Sequence, residues 1–161
     1  MKLAKIDDLD LKILTELVRD ASVSVPKISK KINVNSSVVY SRIKRLAKRN
    51  LLEKFTIVVN EKLLGYAVDA IIGCNIDSKL RENIMAEIYN LEEVRDIYEV
   101  TGRFDLLVTV KARSLDGLHS TISMKIGKIG GVQHTETFIE MRRTRKDPQY
   151  AVQKQEAAAR A

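Results

Sequence analysis

Between Asn35 and Arg49 the chain carries five cations, Arg42, Lys44, Arg45, Lys48 and Arg49, and no acid. The same segment keeps Val39, Ile43 and Leu46 at the i, i+4, i+7 spacing that gathers side chains on one face of an α-helix. Such a helix has to bury one flank and leave the other to water or to a polyanion. The residues upstream supply the neighbours. A short helix is expected over Pro26–Ile32, joined to the basic one by Asn33-Val34-Asn35. Asn33 suits a left-handed turn position, Asn35 can cap the basic helix through its side-chain oxygen, and Asn50 suits the closing left-handed position. A first helix capped by Asp7 or Asp8 and ending near Asp20–Ser22 presents Ile6, Leu9, Ile13, Leu14 and Leu17 as a broad apolar face. Ser24 is the expected cap of the second helix. Helix, tight turn and basic helix make the arrangement by which a helix-turn-helix unit lays a reader helix in the DNA major groove. Clustered Lys and Arg are rewarded there by counterion release.

The rest of the chain follows a different rule. Leu51–Asn60 alternates Phe55, Ile57 and Val59 with Lys54, Thr56 and Val58, which predicts a connecting strand. Beyond it the pattern reads strand (Tyr66–Ile76), helix (Leu80–Leu91), strand (Val94–Val100), strand (Leu106–Ala112), helix (Leu115–Ile129), strand (Val132–Met141), with a hairpin turn at Thr101–Asp105. This βαββαβ order predicts a ferredoxin-like antiparallel sheet with two helices on one face. The overall class is α+β: an N-terminal three-helix winged helix-turn-helix domain followed by a ferredoxin-like sandwich domain. The uncovered sheet face calls for a second layer, so a dimer with sheets packed together is expected. The expected divisions are 1–52 for the DNA-binding domain, 53–62 for a hinge strand, 63–143 for the βαββαβ domain that builds the oligomer, and 144–161 for a polar, then Ala-rich tail, of which Ala157–Ala161 has high helix propensity.

Charge divides along the same lines. Residues 1–62 hold 14 basic and 7 acidic side chains, residues 63–141 hold 8 and 12, and residues 142–161 hold 6 and 2. Basic ends around an acidic middle suit a nucleic-acid-binding segment joined to a domain with other work. No apolar run is long enough to span a bilayer, and MKLAKIDD turns acidic too early for a signal peptide. The single Cys74 allows no intrachain disulfide and reads as a small buried hydrophobe. His119 and His134 lack a second ligand at metal spacing, so no metal and no cofactor is expected. No nucleophile–base motif, phosphate loop or carboxylate pair points to an enzyme. A cytoplasmic, nucleoid-associated protein is the expectation.

In order and spacing, these residues resemble the Lrp/AsnC, or feast/famine, family of transcription regulators. The opening run Ile6-Asp7, Leu9-Asp10, Ile13-Leu14 and Leu17 is similar to the family's first helix. Ile28, Ile32-Asn33-Val34-Asn35, Arg42-Ile43, Leu46 and Asn50-Leu51-Leu52 are similar to its helix-turn-helix. The hairpin Thr101-Gly102-Arg103-Phe104-Asp105-Leu106-Leu107 and the strand start Gly131-Val132, Thr135, Thr137 resemble its effector domain. Departures are few. Asn35 stands where Ser is usual, Asn50 where Gly is usual, Lys27 where Glu would complete a capping box with Ser24, and Ser22 where Arg is common.

Two groups of residues carry the expected function. Asn35, Ser36, Ser37, Val38 and Tyr40, at the start of the basic helix, are placed to reach base edges, and Arg42, Lys44, Arg45, Lys48 and Arg49 to reach phosphates. Arg42 can equally brace the fold, and Tyr40 can equally pack. The second group is Thr101, Gly102, Arg103, Phe104 and Asp105. Ordinary turn chemistry explains it from residue type alone. The family resemblance implies instead a small effector, an amino acid such as glutamine, bound near this loop between dimers, with Asp105 accepting from an α-ammonium. Thr135 and Thr137 share one side of their strand and are expected to line that site, with Tyr98 and His134 in reach. The resulting expectation is a sequence-specific, effector-responsive transcriptional regulator, binding double-stranded DNA and assembling from homodimers into an octamer or another even oligomer. The rivals are an architectural DNA-coating protein and, from the same pair of domains, a haem-precursor decarboxylase.

Overall fold

In a computed structural model that describes residues 6–150, the chain forms two compact units, one from residues 6–58 with 145–150 and the other Val59–Thr144. The first unit is helical: α1 (Asp8–Arg19), α2 (Val25–Ile32) and α3 (Ser36–Lys48). Sequence chemistry sets each boundary. Asp7 caps α1 by accepting from the Asp10 N–H, and Asp10 accepts in return from the Asp7 N–H, a capping box built from two aspartates. Pro26 sits in the first turn of α2, where no intrahelical N–H is required. Asn33 ends α2 at φ 54° and ψ 53°, and Asn50 closes α3 at φ 55°, so both asparagines take the left-handed positions their side chains tolerate. Ser24 holds the cap position of α2 without a side-chain bond; its carbonyl alone receives Lys27 and Ile28. Ile13, Leu17, Ile28 and Val39 form the buried core, with Leu9, Val23, Val25, Ile32, Val34, Ile43 and Leu52 packed round it.

The expected connecting strand does not form. Leu51–Asn60 has no ladder partner among the described residues, and Ile57 and Val58 are 81% and 83% exposed. The alternation is present, but a strand needs a neighbouring strand to pair with, and none lies beside it among the described residues. Among the described residues no wing strand therefore accompanies the three helices. Residues 145–150 belong to this helical unit, with the Tyr150 N–H donating to Thr15 Oγ1 at 3.3 Å. The Ala-rich stretch Ala157–Ala161 lies outside the described residues.

The second unit contains β1 (Val68–Ile76), α4 (Arg81–Tyr89), β2 (Val94–Glu99), β3 (Leu106–Ala112), α5 (Leu115–Ser120) and β4 (Val132–Ile139). The sheet is antiparallel in the order β2-β3-β1-β4, the expected βαββαβ arrangement. Ala70, Ile72, Cys74 and Ile76 of β1 and Leu106, Val108, Val110 and Ala112 of β3 point to the helices and bury with Ile84, Ile88, Leu118, Ile126 and Ile129. Cys74 is thus the small core residue expected, and burial pushes its thiol up to about 11. The helix predicted over Leu115–Ile129 breaks into α5, a π-helical turn at Thr121–Lys125 and a short 3₁₀ turn at Ile126–Lys128. Thr121 and Ser123 hydroxyls donate to the Gly117 and His119 carbonyls one turn back, a competition with the helical ladder that bends helices.

Among the described residues no α-helix covers the other sheet face. Ile71, Gly73, Leu107 and Thr109 lie on it, and a 3₁₀ turn at Glu61–Leu64 is tied to it where Glu61 meets Arg95 at 2.9 Å and Lys111 at 3.2 Å. Burial alone would raise the Glu61 carboxyl, but these two cations outweigh it and hold the group below its ordinary value. Phe104 lies flat over Gly73: a Cβ there would meet the ring at 2.6 Å. Gly73→Val is expected to push Phe104 off the sheet and destabilise this unit by about 1–3 kcal/mol, read as a lower midpoint in denaturant.

Candidate nucleic-acid interface and hairpin site

Helix α3 begins where the Asn35 side-chain oxygen accepts from the Ser37 N–H at 2.9 Å and from the Ser37 hydroxyl at 3.0 Å. Val39 and Leu46 are buried and Ile43 packs beside them, so the opposite side of the helix turns outward. That side carries Ser37, Ser41, Lys44 and Lys48 at helical spacing, all exposed, with Tyr40 beside them. Tyr40 is 52% exposed, and Lys44 Nζ sits 4.7 Å from its ring centroid. The tyrosine therefore belongs to the outward surface and not to the core, and the cation over its face stiffens both side chains. Val38 and Arg49 are exposed, Ser36 half-buried. No acid interrupts this surface along α3.

Arg42 and Arg45 stand apart from that stripe. They flank the buried face on the side of α1, where Asp10 is 1% exposed. Arg45 Nη2 donates to both Asp10 oxygens, at 2.9 and 2.8 Å, and Arg42 Nη1 donates to Asp10 Oδ1 at 3.1 Å and to Asp7. The sequence assigned both arginines to phosphates along with Lys44, Lys48 and Arg49. In the folded unit they are intramolecular partners of a buried carboxylate, the bracing role held open for Arg42. A carboxylate removed from water has to be paired, and the two guanidiniums are what α3 brings within reach. The hydrogen bond from Arg42, followed by that from the Asp10 N–H, lowers the Asp7 carboxyl from 3.8 to about 2. Asp7 in turn raises Arg42. Sequence reasoning passed over Asp10 as a site residue. The signal was there: an acid at i, i+3, i+7 with Ile13 and Leu17, on the apolar stripe of α1.

The hairpin is built as turn chemistry requires, with one unusual feature. Gly102 has φ 138° and nothing within 4 Å of where a Cβ would stand, so the backbone at the tip is open. Asp105 accepts through Oδ2 from the Ile76 N–H at 3.0 Å, and its own N–H donates to the Cys74 carbonyl at 3.0 Å. One carboxylate oxygen is thus committed to the end of β1. The Arg103 carbonyl accepts from Asn75 Nδ2 at 2.8 Å, while its guanidinium pairs with Glu136 at 2.6 Å and lies 5.3 Å from the Phe104 ring centroid. Phe104 meets Phe138 edge-to-face at 6.1 Å. Asn75, Glu136 and Phe138 are the supports that sequence reasoning did not find, because strand register brings them there from far along the chain.

Register also redistributes the predicted lining. Thr135 pairs with Cys74 and Thr137 with Ile72, so both share the helix-facing side, as alternation predicts. His134 pairs with Asn75, and Tyr98 pairs with Leu107, which is itself opposite Gly73, so those two lie on the other face. They also sit on opposite edges of the sheet, three strand spacings or about 14 Å apart. Tyr98 lines a groove between α4 and the β2 edge with Met85, Tyr89 and Ile97. A single chain therefore does not gather Tyr98, His134, Thr135 and Thr137 around Gly102. Among the described residues no cluster of His, Cys, Asp and Glu suited to a metal ion forms, and no helix is long and apolar enough to cross a membrane.

Two family models match the chain: the AsnC-type helix-turn-helix domain over residues 6–47 and the Lrp/AsnC ligand binding domain over residues 69–150. An uncharacterised helix-turn-helix transcriptional regulator of Pyrococcus furiosus is 34% identical over 143 residues, 89% of this chain and 96% of that one. The regulatory protein AsnC of Haemophilus influenzae is 30% identical over 137 residues, 84% of this chain and 91% of that one. The solved structure of Escherichia coli AsnC superposes with a TM-score of 0.82 at 29% identity, over 90% of this chain and all of that one. A Neisseria meningitidis transcriptional regulator crystallised with L-methionine has the same fold, with a TM-score of 0.86 at 17% identity, over 91% of this chain and 97% of that one.

The Asp7 carboxyl gives the helical unit a pH dependence of definite sign. Because folding lowers it from 3.8 to about 2, its contribution is complete above about pH 4 and disappears as pH falls through about 2. Melting temperature followed by circular dichroism is expected to drop over that window, and less steeply in Asp7→Asn, which keeps a good cap but no titrating group.

Proposed function

The chain belongs to the Lrp/AsnC family of transcriptional regulators, and on that premise we propose that it binds specific duplex sequences through α3 as a homodimer, under the control of a free amino acid. The observation that carries the reading is the outward surface of α3. A helix that buries Val39 and Leu46 presents Ser37, Tyr40, Ser41, Lys44 and Lys48 together. Polar and aromatic groups near its N-terminus suit base edges, and the lysines further along suit phosphates. A cytoplasmic site of action follows from a DNA partner. Regulation of transcription, and not catalysis, is the role that the relatives' names give those proteins.

The effector reading is supported by the ligand binding domain match and by the open backbone at Gly102. One oxygen of Asp105 is left for an ammonium group, the other being taken by Ile76. The residues expected around this loop are dispersed in one chain, which suits a site completed by a second copy. Apolar side chains of the uncovered sheet face, with Phe55, Ile57, Val58 and Val59 exposed in the connecting segment, suit the same assembly. Glutamine is one candidate, and the Neisseria regulator's L-methionine is another. Octamers are the even assembly we favour. An effector alters DNA affinity only through its different affinity for two such states.

Footprinting on a duplex selected from a random pool is expected to show a protected palindrome; uniform coverage would indicate an architectural coat instead. Lys44→Gln and Lys48→Gln are each expected to make the log–log salt dependence of binding shallower by about 0.9 for every phosphate no longer neutralised. Calorimetry against a panel of amino acids is expected to find at least one ligand. Gly102→Val, strained at φ 138°, is expected to abolish that heat in a protein that still folds and dimerises. Heat from no amino acid would sink the effector reading.

A further inference from the structure

Five cations decorate α3 and its C-terminal cap, and charge alone would give all of them to DNA. Their surroundings divide them. Lys44 and Lys48 are exposed on the outward stripe. Arg42 and Arg45, with side chains 22% and 40% exposed, face the N-terminal turn of α1, where Asp7 and Asp10 stand. Asp10 holds three guanidinium hydrogen bonds from two arginines and is itself 1% exposed. Arg45 commits Nη2 to both carboxylate oxygens, and its Nε is buried without a partner. Arg42 commits Nη1 to Asp7 and Asp10 together. Two positive charges are therefore matched by two negative ones within hydrogen-bond distance. A neutral cluster of this kind has little field with which to displace the counterions condensed on a duplex.

We infer that Asp10 is a positioning residue of the DNA-reading helix, which it locks to α1 through Arg42 and Arg45, and that these two arginines are withheld from the phosphates. The inference rests on the DNA-binding reading above. It gives the latch a consequence beyond stability. Ser37, Tyr40, Ser41, Lys44 and Lys48 project from a helix whose rotation about its own axis is set by two guanidiniums on its flank. Loosening the latch would let the stripe turn relative to the rest of the unit, and it would add two unneutralised cations to the surface. Both changes favour indiscriminate over sequence-specific binding, since phosphates attract without regard to sequence while base contacts demand a fixed geometry.

The test compares the full-length wild type with Arg42→Gln, Arg45→Gln, Asp10→Asn and, as a positive control, Lys44→Gln. Each is measured on a duplex selected from a random pool by the wild type and on a scrambled duplex, across a salt series, at a temperature where circular dichroism shows the variant folded. Lys44→Gln is expected to make the salt dependence shallower by about 0.9 for the phosphate it no longer neutralises, whereas Arg42→Gln and Arg45→Gln leave it unchanged. Asp10→Asn is expected to make it steeper, by up to about 0.9 for each arginine set free to meet a phosphate, and to lower the ratio of specific to non-specific affinity at least about tenfold. A role in stability alone would lower the melting temperature and move neither quantity in the folded protein. The inference is overturned if Arg42→Gln or Arg45→Gln flattens the salt dependence as Lys44→Gln does, or if folded Asp10→Asn keeps both the wild-type salt dependence and its discrimination. Should Asp10→Asn fail to fold, the two arginine variants decide the matter. A wild type that binds no duplex at all overturns the DNA reading itself, a result the Lys44 control separates from failure of the latch.

Discussion

A single carboxylate taken out of water organises the helical unit. Asp10 lies on the buried stripe of α1, one turn before Ile13, and an unpaired acid there would cost several kcal/mol. Its position obliges α3 to approach at a rotation that delivers Arg42 and Arg45 to it. The rest of α3 is then decided. Val39 and Leu46 enter the core, and the stripe from Ser37 to Lys48 has only the outside to face. The capping box at Asp7 belongs to the same arrangement, because the two carboxylates that close the start of α1 receive Arg42 on their other oxygens. Helix start, core packing and the direction of the reader surface are thus three aspects of one charge cluster.

The second unit depends on a different constraint, the two-residue period of its strands. Four strands in the order β2-β3-β1-β4 place Ile72, Cys74, Leu106 and Val108 under the helices and leave Ile71, Gly73 and Leu107 on the other side. The hairpin tip is held to that sheet by three contacts with two strands: Asn75 of β1 on the Arg103 carbonyl, Asp105 on the Ile76 N–H of β1, and Glu136 of β4 on the Arg103 guanidinium. Gly73 matters because its missing side chain is the space that Phe104 fills. The loop proposed to meet an effector is therefore mechanically continuous with β1 and β4, which is the physical precondition for a ligand at the loop to influence anything beyond it.

Much of this was legible in the residues. Asn33 and Asn50 marked the left-handed positions, Asn35 the cap of α3, and the apolar spacings each helix face, because these features follow from local sterics and helical period. The strand order of the second half followed from alternation and hairpin spacing. The failures have a common origin. Leu51–Asn60 alternates like a strand, yet among the described residues no strand lies beside it to form a ladder. The helix after Leu115 loses its regular ladder where Thr121 bonds back to Gly117 and reaches across to Glu93. Thr135, Thr137, His134 and Tyr98 form one group in what the family resemblance implies but divide between two faces and two edges once the register is known.

The amino-acid sequence by itself determined the element order, the caps, the cationic character of α3 and the family to which these patterns belong, since each depends on residues within a few positions of one another. Tertiary structure alone decided which cations of α3 remain available to a partner. Arg42 and Arg45 look no different from Lys44 and Lys48 along the chain. Only the approach of α1, more than thirty residues earlier, supplies the buried Asp10 that neutralises them, because an ion pair is fixed by distance and dielectric and not by position in a sequence.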